Sequence, residues 1–286
     1  MALPTFFVIG AAKSGTSSLH FYLDQHPEIQ MSANKEPRFF AGSDRGIPFP
    51  PDKVWERAEY ERLFDPSFRV RGESSTDYAA HPRRQGSAER IKELVPEAKF
   101  VYLVRDPIAR TISHYKMGVA LMGERRPLEE ALEDVNPLSP YVASSLYATQ
   151  IELYREHFPA ERMLVVDQGE LLADRAAVLE RIFAFLDVDP RAGKIESEEK
   201  LLDSAQWRTY SPEYLGFVNR HVAPRVQWIP RGFRRSVRRA VERVLWPPLE
   251  TPSIDGEVGE RLRATYTEEA SRLRGLTGLE LSSWSV

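Results

Sequence analysis

No cysteine occurs anywhere in the 286 residues. That excludes a disulfide scaffold, a thiolate zinc site and a cysteine nucleophile together, and it fits a compartment that keeps thiols reduced. No run approaches the roughly 18 consecutive apolar residues of a membrane-spanning helix. The opening Met1-Ala2-Leu3-Pro4-Thr5 lacks the basic region of a signal peptide. The expectation is a soluble, cytoplasmic protein. Charge of one sign is also lacking. The 39 basic and 42 acidic residues leave a net −3, so no nucleic-acid partner of the usual polyanionic kind is expected. No group of carboxylates and histidines has metal-ligand spacing, and no metal is expected. Internal repeats and low-complexity tracts are absent.

The chain does have the means to build a core, being 42% hydrophobic and 10% aromatic. Thr5 to Gly10 (TFFVIG) is a short apolar run rich in β-formers and reads as a strand buried on both faces. A helix is predicted from Ser17 to Gln25, stopping at His26-Pro27. Residues 28–51 read as irregular. Helices are expected over Asp52–Leu63, with Asp52 as a cap, and over Arg83–Val95, with a strand at Phe68–Gly72 between them. Lys99 to Val104 (KFVYLV) is a second buried strand, turning into a helix that reaches about Met122. A long helix over Pro140–Phe158, a third strand from Met163 and a helix over Glu170–Leu186 complete the alternation. Such a pattern predicts an α/β fold, a parallel sheet with helices on both faces. With no clear linker, one domain over 1–286 is expected: an α/β core at 5–186 and a mostly helical elaboration at 187–286, closed by a helix over Asp255–Leu276.

The loop after the first strand carries the chemistry. Gly10-Ala11-Ala12-Lys13-Ser14-Gly15-Thr16-Ser17 joins a buried strand to a helix. Amides of such a loop and the positive end of the helix make an anion site. Gly10 and Gly15 keep the G-x4-G spacing of a nucleotide-binding P-loop, but Thr16 stands where that loop has its lysine. The lysine has moved to position 13. There it suits the bridge of a shorter nucleotide with no γ-phosphate.

The segment F-F-V-I-G-A-A-K-S-G-T-S-S-L resembles the 5′-phosphosulfate loop of the PAPS-dependent sulfotransferases, especially the carbohydrate branch typified by the heparan sulfate enzymes, here in a bacterial-type version. PAPS, 3′-phosphoadenosine 5′-phosphosulfate, is the sulfuryl donor of that family, and PAP (3′,5′-ADP) its product. The resemblance demands a 3′-phosphate site after a later strand. Val101 to Tyr115 (VYLVRDPIARTISHY) is similar to the family's strand–R-x-P segment, in which the arginine leaving the strand and a serine eight residues on grip the 3′-phosphate. Those are Arg105 and Ser113 here. A guanidinium gives charged, directional donors to phosphate. The resemblance therefore implies a donor site of Lys13, Ser14, Gly15, Thr16, Ser17, Ser18, Arg105 and Ser113, with Lys13 also assisting the leaving oxygen. It covers roughly residues 5–186, and 250–284 more loosely.

Two carboxylates compete for the acceptor's proton. Glu36, in Lys35-Glu36-Pro37-Arg38-Phe39-Phe40, resembles the family's E-x-x-F-F segment, whose glutamate is the general base of the heparan-modifying enzymes. Phe39 and Phe40 could anchor that loop in the core. Glu73, in Gly72-Glu73-Ser74-Ser75-Thr76-Asp77-Tyr78, is similar to the family's E-K-[ST]-P-x-Y stretch beside the acceptor. Ser74 replaces its lysine and Thr76 its proline. Glu36 is ranked first as base and Glu73 second, with acceptor binding as the expected role of Glu73. His114 is more often structural in such a setting, His20 and His81 have no assigned partner, and Asp77 and Asp106 are expected to cap or pair.

Late in the chain, Arg231, Arg234, Arg235, Arg238, Arg239 and Arg243 form one face of a basic helix over 231–245. That face can lie on anionic lipid, giving peripheral contact with the inner membrane surface. It can equally cover a site for anionic acceptors, or stay solvated with the apolar face packed on the domain. Lys200 and Arg208 are candidates for the further basic group that the family brings to the 3′-phosphate. The leading expectation is transfer of a sulfuryl group to a hydroxyl of a carbohydrate, glycolipid or small metabolite. The alternatives are a P-loop small-molecule kinase and a non-catalytic nucleotide-binding membrane or partner tether.

Overall fold

The computed structural model describes residues 2–42, 56–193, 220 and 249–286. Five strands form one parallel sheet in the order β2-β3-β1-β4-β5: β1 (Phe6–Gly10), β2 (Ile29–Met31), β3 (Val70–Ser74), β4 (Lys99–Val104) and β5 (Met163–Asp167). The two apolar runs become the paired central strands β1 and β4, and Phe7, Val8, Ile9 and Phe100 to Val104 are fully buried. Continuous apolar sequence is what a strand covered on both faces requires.

The helices α1 (Thr16–Asp24), α2 (Arg57–Glu61), α3 (Ser87–Leu94), α4 (Pro107–Met117), α5 (Leu128–Ala131), α6 (Pro140–Ala143), α7 (Tyr147–Arg155), α8 (Gln168–Ala173), α9 (Arg175–Phe185) and α10 (Gly256–Thr277) cover both faces. On one face Leu19, Tyr22 and Leu23 of α1 pack with Val8, Val101, Leu103 and the α9 residues Val178, Ile182 and Phe183. On the other, Phe7, Phe100 and Tyr102 meet α3, α7 and Leu273 of α10. The expected α/β architecture is present.

Several expected boundaries move, each for a physical reason. β3 begins at Val70 rather than Phe68 and runs to Ser74. Gly72 sits at its centre because a Cβ there would lie 2.3 Å from Phe6 and 2.4 Å from the sulfur of Met31. β2 falls in the stretch read as irregular, since three residues are too few to show a period. The long helix expected over 140–158 is two helices, broken at Ser144–Leu146. The break leaves the Tyr141 carbonyl to accept from Arg110 and, at 3.0 Å, from the Thr111 hydroxyl. The helix expected over 170–186 is likewise divided at Asp174, whose carboxylate caps α9 through the Ala177 amide at 3.0 Å. α4 ends at Met117 in a wider turn over Gly118–Met122. α3 starts only at Ser87, leaving Arg83 and Arg84 buried in the approach. α10 closes at Gly278 in the left-handed conformation that helix ends favour.

No described helix is long and apolar enough to cross a membrane. The basic helix expected over 231–245, together with Lys200, Arg208 and Asp52, lies outside the described residues.

Connections leave β1 toward β2 on one side and β4 toward β5 on the other. The crevice above the carboxyl ends of β1 and β4 is therefore the switch point where open α/β sheets bind ligands.

Candidate active site

Both turns singled out in the sequence open into that crevice. After β1 the chain folds back on itself: the Ala11 amide donates to the Leu103 carbonyl at 2.6 Å and the Ser14 amide to the Ala11 carbonyl at 3.1 Å. Lys13 adopts a left-handed φ of 73° and Gly15 one of 100°. Gly15 caps α1 without a side chain to occupy the first-turn amides. Those amides have no intrahelical acceptor, so the helix presents them, with its positive end, to whatever sits in the loop. Ser14 and Thr16 are buried, and Ser17 and Ser18 lie half-buried in the first turn.

The turn after β4 is bonded to this loop. Arg105 Nη1 donates to the Lys13 carbonyl at 3.1 Å and Arg110 Nη1 to the Ala12 carbonyl at 3.4 Å. Two arginines thus take the loop's carbonyls. The same arrangement concentrates positive charge. Burial, with Arg105, Arg110 and Lys35 adding repulsion, lowers the Lys13 ammonium to about 8. Lys35 pairs with Glu36 at 2.7 Å, and cations crowded into one crevice favour an anion between them.

Asp106 caps α4, accepting from the Ala109 amide at 2.7 Å, as expected of it. Its second oxygen receives the Ser285 amide and hydroxyl at 2.5 and 2.7 Å. The Tyr147 hydroxyl donates to the Arg105 carbonyl at 2.8 Å and its ring meets Trp284 at 5.6 Å. Ser113 projects from α4 with a buried Oγ that has no partner among the described residues. Ser14 Oγ, near the Tyr147 phenol, also closes no hydrogen bond of good geometry. A buried hydroxyl without a partner is uncommon and retains bonding capacity that a ligand or water can use.

The loop bearing Glu36 lies along the end of β3. The Glu36 amide donates to the Ser74 carbonyl at 2.9 Å, the Arg38 amide to the Ser75 hydroxyl at 3.0 Å and the Phe40 amide to the Tyr78 hydroxyl at 3.2 Å. Phe39 stacks on Tyr60 at 4.2 Å and Phe40 packs edge-on to Phe7 at 5.6 Å, so the two phenylalanines anchor the loop in the core. Glu36 and Arg38 hold left-handed φ values of 62° and 60°, strain that surrounding bonds must sustain. The Glu36 carboxylate accepts from the Thr76 amide at 2.9 Å and from Lys35 Nζ at 2.7 Å, and remains partly exposed.

Glu73 is not where an acceptor-binding residue would be. It lies fully buried, and its carboxylate accepts from the hydroxyls of Tyr60, of Ser75 at 2.7 Å and of Tyr78 at 2.6 Å. Burial raises it to about 7 against those three bonds. The reason is register. Side chains alternate along β3, so Glu73, opposite Phe7, faces the aromatic core, and Ser74 faces α1. There Ser74 Oγ meets His20 Nδ1 at 2.9 Å, and burial, then Lys35, lowers His20 to about 4, leaving it neutral.

Comparison with known proteins agrees with this geometry. The sequence model of the sulfotransferase family matches residues 52–191. A sulfotransferase from Alicyclobacillus acidocaldarius superposes over 100% of both chains with a TM-score of 0.69 and 26% identity. The chain is similar to the sulfotransferase family in both sequence and fold. Human heparan sulfate glucosamine 3-O-sulfotransferase 3B1 is 30% identical over 192 residues, 64% of this chain and 46% of that protein. Human bifunctional heparan sulfate N-deacetylase/N-sulfotransferase 3 is 28% identical over 211 residues, 66% of this chain and 23% of that protein. The chain thus spans less than half the length of these curated relatives.

Within this sulfotransferase fold the structure brings Lys13 to Ser18, Arg105 and Ser113 to one crevice and sets Glu36 beside β3. It removes Glu73 to the core. His114 is structural: it is buried, bonded to Arg110 Nη1 at 3.1 Å, and held well below the ordinary histidine value by burial and Arg110. Asp77 pairs with Arg84 at 3.1 Å and Arg38 at 3.4 Å. Sequence reasoning missed Lys35, Arg110 and Tyr147. Lys35 was flagged only by its neighbour Glu36, and Arg110 by its place in the R-x-P-x-x-R run. Tyr147 had no local signal.

Proposed function

We propose that this protein transfers the sulfuryl group of PAPS to a hydroxyl of a carbohydrate, glycolipid or small-metabolite acceptor, releasing 3′,5′-ADP. The observation that carries the reading is the pair of adjacent turns, each with a cation and a buried, unsatisfied hydroxyl: Lys13 with Ser14, and Arg105 with Ser113. A nucleotide with phosphate groups at both ends suits them, and Gly15 leaves the loop open to it.

In this reading the amides of residues 13–18 and the hydroxyls of Ser14, Thr16, Ser17 and Ser18 hold the 5′-phosphosulfate end. Lys13 stabilises charge on the departing oxygen, and Arg105 and Ser113 seat the 3′-phosphate. The bound donor supplies the activated sulfur–oxygen bond. Glu36 takes the acceptor's proton: its carboxylate is partly open, whereas Glu73 is sealed behind three hydroxyls. The printed names of the relatives describe heparan sulfate enzymes. Ser74, paired with neutral His20, adds no positive charge at the acceptor side and favours an acceptor less anionic than a sulfated polysaccharide. The described segment 249–286 belongs to the same domain in this reading, since Tyr266, Leu273 and Leu281 join its core clusters.

The test is transfer of labelled sulfate from PAPS across an acceptor panel, with and without a chelator. Turnover that persists without metal and is lost in Lys13→Met supports the reading. Transfer of phosphate from ATP that collapses on chelation would favour the kinase.

A further inference from the structure

α4 carries a second buried polar group whose charge no described residue balances. Lys116 is buried, only 6% exposed. Its one hydrogen bond among the described residues goes from Nζ to Thr251 Oγ1 at 3.2 Å. No carboxylate among them lies within ion-pair distance. A buried ammonium is costly unless paired with an opposite charge, and one hydroxyl does not neutralise it.

Its place on the helix says which anion. Residues three apart are neighbours on a helix, so Lys116 stands one turn beyond Ser113, whose buried Oγ has no partner among the described residues. Arg110, three residues the other way, is occupied by Ser145, Tyr141 and the loop carbonyl of Ala12. Ile108, Ile112 and Tyr115 of α4 pack against the cluster of Ile254 and Tyr266, so Lys116, one turn beyond Ile112, emerges at the border of that apolar surface. A cation and a hydroxyl are thus left one turn apart on the helix that follows the Arg105 turn.

We propose that Lys116 is a donor-binding residue whose ammonium completes, with Arg105 and Ser113, the pocket for the nucleotide's 3′-phosphate. The proposal rests on the PAPS reading above. Thr251 holds the ammonium in place and links the pocket to the segment leading into α10. Hydrogen bonds to a charged group in such a site are the stronger kind, so removing this one weakens 3′,5′-ADP about tenfold or more.

Binding of 3′,5′-ADP and of 5′-AMP to the full chain, followed by calorimetry, tests it. Wild type is expected to prefer 3′,5′-ADP. Lys116→Gln is expected to lose that preference while keeping its affinity for 5′-AMP, and Lys116→Arg to retain much of it. Lys116→Met, which keeps the aliphatic stem, stands in if the glutamine variant does not fold. Equal weakening of both nucleotides, unchanged 3′,5′-ADP affinity, or a change confined to the acceptor KM would overturn the assignment. A wild type that fails to distinguish the two nucleotides would instead bring down the donor reading itself.

Discussion

Lys13 bears its charge under opposition from burial, Arg105, Arg110 and Lys35, which bring it to about 8. A bound anion favours the charged form, so donor binding takes up a proton once the free lysine begins to lose it. Affinity for 3′,5′-ADP is therefore expected to fall as pH rises through about 8, by up to tenfold per pH unit. Lys13→Met should bind more weakly and lose that slope, which calorimetry at several pH values would register. Glu73 works in the other direction. Its folded value of about 7 lies above the ordinary 4.5, so the folded chain holds a proton that the unfolded chain has released. That contribution to stability is present at low pH and declines between about pH 4.5 and 7. Denaturant unfolding of Glu73→Gln should show a flatter pH dependence across that window, with turnover retained. Glu36→Gln should instead cut turnover about 10²–10⁴-fold, the usual worth of a general base. Near-normal turnover in that variant would end the assignment of Glu36.

At the scale of elements, the node joining α4 to the α6–α7 break keeps the donor loop in shape. Arg110 is fully buried and donates to Ser145, Tyr141, Thr111 and the Ala12 carbonyl, and contacts His114. A lysine cannot reproduce that fork. Each buried acceptor left unpaired costs about 1–3 kcal/mol, so Arg110→Lys is expected to lower the urea midpoint sharply with little change in the m-value. An unchanged midpoint would show that the node is dispensable. This node also marks where the sequence ceased to be legible. The apolar pattern runs on through 140–158, and the helix breaks at Ser144–Leu146 for the sake of partners 30 or more residues away. Local signals did identify β1, β4 and both of their turns, because each motif is contiguous. The burial of Glu73 was not legible because its direction depends on strand register, which two residues of boundary shift leave undetermined. His20 had no sequence partner for the same reason: Ser74 is 54 residues away.

For the whole molecule, the sheet order places the two turns side by side, and the segment after α10 joins the end of β5 to the turn after β4. Trp284 Nε1 donates to Asp167 at 3.0 Å, and Ser285 reaches Asp106 at the foot of the Arg105 turn. Asp106→Ala removes a helix cap, worth about 1 kcal/mol, and that tie as well. A lower melting temperature together with weaker 3′,5′-ADP binding is expected, and loss of stability alone would show the tie has no part in the site. The central claim is that the β1 and β4 turns receive the two ends of one nucleotide. A crystal grown with 3′,5′-ADP tests it most directly. The account predicts the 5′-phosphate on the amides of residues 13–18 and the 3′-phosphate on Arg105 and Ser113. Either turn left empty, or the two filled by separate molecules, would contradict it.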